Sequence, residues 1–108
     1  MYLRVWEFVV RSEAVDAFVR LYGPAGPWVE LFSRFDGFVE TELLEDVSDP
    51  RRFVTVDRWS GEAAYLEMEA ASGDAWRALD AEGEALTDRE TFLGAFETND
   101  GERARRSG

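Results

Sequence analysis

Apolar positions along this chain change their spacing several times, and each change marks an element. Residues 2 to 10, Tyr-Leu-Arg-Val-Trp-Glu-Phe-Val-Val, are rich in β-branched and aromatic types and apolar on both faces, the pattern of a strand covered on both sides. Ser12 offers a cap for a helix in which Val15, Phe18, Val19 and Tyr22 recur at i, i+3, i+4 and i+7, and Gly23-Pro24 ends it. Gly26-Pro27 predicts a short second helix with Trp28, Leu31, Phe32 and Phe35 on one side. After the turn signal Asp36-Gly37, a strand is expected from Phe38 to about Asp46. Ser48-Asp49-Pro50 then leads into another from Phe53 to Trp59, so these two form a hairpin. Ser60 is positioned to cap a helix to about Ala71, and Ser72-Gly73-Asp74 opens a further turn or helix in which Trp76, Leu79, Gly83 and Leu86 share a face. Glu90 to Thr98 reads as the last strand.

The order is βαββαβ, with each helical region broken in two, which predicts an α+β, ferredoxin-like domain with an antiparallel sheet over residues 1–98. The polar, glycine-bearing remainder, residues 99–108, reads as a disordered tail. Such a sheet carries its helices on one face, yet the first and third strands are apolar on both. A homodimer packed sheet to sheet would cover the other face.

Side chains alternate along a strand, so Thr55, Asp57 and Trp59 project together, opposite Val54, Val56 and Arg58. An acid beside an indole at a strand's end suggests a pocket wall. In the first strand Glu7 shares a face with Leu3, Val5 and Val9, expected to point toward the helices; Trp6, with Arg4 and Phe8, is assigned to the dimer interface.

Composition narrows the chemistry. With 23 acidic against 12 basic side chains the net charge is −11, which disfavours nucleic acid and anionic membrane surfaces as partners. Cysteine and histidine are both absent, removing disulfides, thiolate sites, the commonest metal ligand and any Ser-His or Cys-His pair. Without clustered aspartates a metal site is not expected. The chain shows no apolar run of spanning length and no signal-peptide pattern, so a cytoplasmic location is expected. Four Trp and eight Phe in 108 residues exceed what a small core ordinarily needs, and an aromatic-lined cavity is one place to put them.

With this order in place, Asp57-Arg58-Trp59 followed by Ser60, Glu62, Ala64 and Tyr65 resembles the antibiotic biosynthesis monooxygenase family of dimeric α/β barrels. Thr41-Glu42-Leu43-Leu44, and Leu79 to Thr87 leading to Gly94-Ala95-Phe96-Glu97, are similar to bacterial members of that family. The resemblance implies a pocket in each protomer between sheet and helices, walled by Trp59. It implies either a cofactor-independent monooxygenase acting on a small aromatic or a non-catalytic small-molecule-binding dimer of the same fold. In several members of the family the helix after this strand carries a histidine, placed by the common spacing near Met68, and some enzymes carry an asparagine in the first strand, where this chain has Glu7; both departures argue against haem degradation.

The candidate proton acceptors are Glu7 and Asp57, because a desolvated carboxyl rises toward neutrality and can take a phenolic proton. The opposing expectation is that each is simply held by an arginine or by backbone groups. Tyr22, Trp28, Phe32, Trp59, Tyr65 and Met68 are the candidate ligand-binding residues, and the alternative is that they fill a solid core.

Overall fold

The computed structural model describes residues 1–99. The tail expected to be disordered therefore lies outside the described residues, Asn99 excepted. Strand β1 (Tyr2–Val10) leads through a 3₁₀ turn (Ser12–Ala14) into α1 (Val15–Tyr22) and α2 (Pro27–Phe32). Strands β2 (Phe38–Asp46) and β3 (Asp49–Trp59) form the hairpin, and α3 (Glu62–Leu86) connects to β4 (Thr87–Glu97). The strands make one antiparallel sheet in the order β2-β3-β1-β4, the ferredoxin-like arrangement, with the helices on one face.

Boundaries move where local chemistry was misjudged. Ser12 caps nothing; its hydroxyl lies 3.3 Å from Glu13 inside the 3₁₀ turn. Gly61, not Ser60, is the N-cap of α3. The expected break at Ser72-Gly73 is a kink within one helix: Gly73 takes φ 44 and ψ −115 while the Ser72 hydroxyl donates to the Met68 carbonyl at 2.6 Å. A positive φ favours glycine there. Strand β3 begins at Asp49, and the tight connection before it is closed by Asp46, whose carboxylate accepts the Ser48 N–H at 2.7 Å. Strand β4 begins three residues earlier than expected, at Thr87.

The sheet register determines which residues meet the helices. Tyr2 stands opposite Trp59, Arg4 opposite Asp57, Trp6 opposite Thr55 and Phe8 opposite Phe53. Directly paired residues share a face. With Trp59, Thr55 and Phe53 buried under the helices, Tyr2, Arg4, Trp6, Phe8 and Val10 must point inward too. This corrects the expected orientation of β1: Leu3, Val5, Glu7 and Val9 lie on the outer face, and Trp6 belongs to the helix side rather than to the bare side. The physical reason is that a strand apolar on both faces carries no parity signal of its own, so pairing decides.

Phe18, Phe53, Trp59, Met68 and Val10 are fully buried. In α1 the buried stripe is Phe18, Leu21 and Tyr22, while Val19 is exposed. Rings interlock within α1 and against the sheet, where Phe18 stacks on Tyr22 at 4.4 Å between centroids and Phe8 lies 4.8 Å from Tyr22, and from helix to helix, where Trp28 lies 6.2 Å from Tyr22 and 5.9 Å from Trp76. Each such burial stabilises by about 1.5–3 kcal/mol. Gly83 of α3 is required by this packing, since a methyl group there would run into the Tyr22 hydroxyl. On the outer face Leu3, Val5, Val54 and Val56 are only partly covered, and Leu44, Leu93 and Phe96 are exposed. Among the described residues no helix is long and apolar enough to cross a membrane.

Candidate functional site

The inner face of the sheet and the helices enclose a cavity of about 210 Å³. Its floor is Arg4, Trp6 and Phe8 of β1 with Thr55 and Asp57 of β3, flanked by Thr41 of β2 and Glu90 of β4. Its roof is Tyr22 of α1, Trp28 and Phe32 of α2, and Tyr65, Glu69, Trp76 and Asp80 of α3. Mostly aromatic walls with a few convergent polar groups are the usual make-up of a small-molecule site.

Asp57 is the half-buried acid of that floor, its carboxyl largely withdrawn from water by the packing around it. It sits between Thr41 and Arg4, its cross-strand partners on either side. The Thr41 hydroxyl donates to Asp57 Oδ1 at 2.7 Å. Burial pushes the Asp57 pKa up to about 6 from 3.8, against the lesser opposing pulls of the Thr41 hydrogen bond and the Arg4 charge. A carboxyl in that range is mostly ionised at neutral pH yet basic enough to accept a proton.

Arg4 supplies the positive charge. Its guanidinium carbon lies 4.2 Å from the centroid of the Tyr65 ring and 4.4 Å from that of Phe92, and Nη1 donates to the Tyr2 hydroxyl at 3.1 Å. Among the described residues it forms no ion pair. Two aromatic faces hold the cation in place without neutralising it. Tyr65 donates to Glu69 at 2.7 Å; burial and that bond hold its hydroxyl above the ordinary tyrosine pKa. Burial, then the charge of Glu90, does the same to Tyr22. Both phenols therefore stay protonated near neutral pH.

The structure brings Asp57, Tyr22, Trp28, Phe32 and Tyr65 to one cavity. It leaves Trp59, Met68 and Glu7 out of the lining. Trp59 lies one layer behind, fully buried, with Phe32 at 5.3 Å and Tyr65 at 5.9 Å between centroids, so it backs two of the walls. Its indole N–H has no hydrogen-bond partner among the described residues. Met68 is likewise fully buried. Glu7 sits on the far face of the sheet, 2.6 Å from Arg52 and 4.0 Å from Arg89, which corrects its expected place under the helices. Sequence reasoning missed Arg4, Trp6, Thr41, Phe8, Glu69, Trp76, Asp80 and Glu90. Register could have found the first three, since each stands across from Asp57 or Thr55. Trp76, Asp80 and Gly83 recur at helical spacing and share the face turned to the cavity. Among the described residues no group of three or more His, Cys, Asp or Glu could hold a metal ion.

Residues 1–81 match the model of the antibiotic biosynthesis monooxygenase family. No curated protein matches the chain. Among solved structures, a substituted form of SnoaB, a cofactor-independent oxygenase from Streptomyces nogalater, superposes with a TM-score of 0.78 at 20% identity, over 92% of this chain and 93% of that one. An antibiotic biosynthesis monooxygenase from Nitrosomonas europaea, itself assigned only provisionally, gives 0.67 at 17% identity, over 91% and 98%. At such identities the structural likeness establishes the fold, and the family match covers three quarters of the sequence. This chain, with its ferredoxin-like sheet and its aromatic cavity, belongs to the antibiotic biosynthesis monooxygenase family.

Proposed function

We propose that the protein is a cofactor-independent monooxygenase that binds a small, electron-rich aromatic in the cavity between sheet and helices. The observation that carries this reading is the desolvated Asp57 carboxylate beside an Arg4 that forms no ion pair among the described residues, inside walls of Tyr22, Trp28, Phe32, Tyr65, Trp6 and Trp76. Asp57 takes a proton from an activated ring C–H or O–H, and Arg4 stabilises the negative charge that develops on the ring oxygen. The resulting carbanion gives one electron to dioxygen, and recombination of the radical pair forms a carbon–oxygen bond. Proton return and loss of water then leave a carbonyl where a CH₂ stood. All four electrons that reduce dioxygen come from the substrate carbon, one oxygen atom is kept and the other leaves as water, so no bound redox group is called for. Trp59 and Met68 act behind this site, as backing for the rings that touch the ligand.

We further propose that the protomer pairs with a second copy through the outer face of the sheet, where Leu3, Val5, Val54 and Val56 form an apolar stripe between ion pairs at its ends. The net charge of −11 supports a reading without nucleic acid or membrane as partner, in the cytoplasm. Oxygen uptake with a panel of anthrone-like and quinol compounds tests the enzyme. Consumption of one dioxygen per substrate, lost on Asp57→Asn, is the expected result. Tight binding without uptake would leave the non-catalytic, small-molecule-binding dimer in its place.

A further inference from the structure

The charge around the cavity is as unusual as its walls. Asp57, Glu69, Asp80 and Glu90 line it, and among the described residues Arg4 is the one basic side chain in the lining. The arginines that form ion pairs answer carboxylates elsewhere: Arg52 takes Glu7 and Asp46, Arg89 takes Glu7, Arg58 takes Glu40 and Glu42, Arg11 and Arg51 take Asp88, Arg34 takes Glu30 and Arg77 takes Asp74. None of the four cavity carboxylates enters an ion pair among the described residues. Topology also divides them. Asp57 and Thr41 belong to the β2-β3 side of the sheet with Arg4 close by, whereas Glu90 belongs to β4 at the opposite edge, with Asp80 and the Tyr22 hydroxyl near it. Among the described residues the Glu90 carboxylate has a single hydrogen-bond donor, the Thr87 hydroxyl at 3.3 Å, which is shared with the Gly83 carbonyl at 3.2 Å.

We infer that this cavity selects a hydroxylated aromatic without a carboxylate, and that Glu90 is the specificity residue that receives the ligand's hydroxyl and turns away an acid. The inference rests on the cavity being the ligand site proposed above and adds the ligand's charge to it. A ligand carboxylate placed among these groups, in a half-open space where ring walls displace part of the water, is repelled more than it would be in bulk solvent. A phenolic hydroxyl meets the opposite condition, since Glu90 has acceptor capacity left over and is partly withdrawn from water. Burial first, and then the charge of Asp80, raise its pKa above the usual carboxylate value, which records that withdrawal. Arg4 does not undo the bias, because it lies toward the Asp57 side.

The test uses two probes that differ by one group, 1,8-dihydroxyanthraquinone and its 3-carboxylate, titrated against the full chain at pH 7.5 by quenching of tryptophan fluorescence. Wild-type protein is expected to bind the neutral probe about tenfold more tightly or better. Glu90→Gln should narrow that ratio to about threefold or less, and Asp80→Asn, acting from the roof, should narrow it in the same direction by a smaller factor. A ratio of two affinities cancels any general weakening of the site. Equal affinities in the wild type, or a ratio that neither substitution moves, would overturn the inference while leaving the oxygen-uptake reading standing. Failure of both probes to bind wild type would remove the ligand cavity and this inference together.

Discussion

The two faces of the β1-β3 pair are built from neighbouring residues and treat their acids in opposite ways. On the outer face Glu7 lies 2.6 Å from Arg52, which also reaches Asp46 at 3.1 Å, so a guanidinium is shared between two carboxylates. On the inner face Asp57 has one neutral donor, the Thr41 hydroxyl at 2.7 Å, and only the field of an Arg4 that is held elsewhere by rings. A carboxylate with its cation beside it is occupied. One that is buried with a hydroxyl is poised to accept a proton, and the difference comes from parity along the strands, not from the residue type.

The sharpest way to break the comparison is to neutralise each acid in turn. Asp57→Asn should lower kcat for oxygen uptake by about 10²–10⁴-fold, the usual contribution of a positioned general base. In the wild type kcat/KM should rise with pH through about 6 and then level off. A flat profile between pH 5 and 8, or an Asn variant with undiminished turnover, would end the role assigned to Asp57.

The outer face makes the next largest demand. Val56 stands opposite Val5 in the centre of that face, so Val56→Asp would bury an unpaired charge between two sheets. Dimer dissociation should increase by about 100-fold or more, read by sedimentation at micromolar concentration, whereas the cavity on the other side should still quench with an aromatic probe. A wild type that sediments as a monomer would show that the apolar stripe has another use.

Asp57 also contributes a stability effect of definite sign. Its folded pKa, about 6, lies above the ordinary 3.8, so the folded chain binds more protons than the unfolded one between those values. The carboxyl therefore favours the fold relative to higher pH when protonated, and this advantage is lost as pH rises from about 4 through about 6. Above that range ionised Asp57 is a constant penalty of at most roughly 3 kcal/mol. Asp57→Asn keeps an acceptor for Thr41 and should be more stable than wild type at pH 8, with the gap falling to about half at pH 5. Urea unfolding at the two pH values reads it. A variant less stable than wild type at pH 8 would contradict the desolvated carboxyl.

Much of this architecture was legible in the chain, and the misses have specific causes. The order of elements followed from period and punctuation, and the inward set Thr55, Asp57, Trp59 followed from alternation in a strand with one polar face. Strand β1 offered no such asymmetry, which is why Glu7 and Arg4 exchanged places: Tyr2 opposite Trp59 settles the matter, and that pairing is a tertiary fact. Trp59 was placed in the wall because alternation reports direction and not depth. Phe32 and Tyr65 lie over it, and the cavity begins on their far side. Glu69, Asp80 and Glu90 come from a kinked helix and from a strand whose start was misjudged, so no local pattern could place their carboxylates in one cavity.

Glu7 supplies the smallest and most discriminating prediction. Its side chain is 16% exposed, and that of its partner Arg52 is 40% exposed, so the pair is in part screened by solvent. Glu7→Gln should cost no more than about 1 kcal/mol in urea unfolding, an effect that shrinks in high salt. It removes the ion pairs with Arg52 and Arg89 but leaves Arg52 with Asp46, and it changes nothing on the inner face. Oxygen uptake and the pH at which it rises should therefore stay at wild-type values, even though Glu7 and Asp57 belong to two strands that pair directly. Equal losses of activity from Glu7→Gln and Asp57→Asn would mean that the sheet does not separate the two acids, and the contrast between its faces would fail at its root.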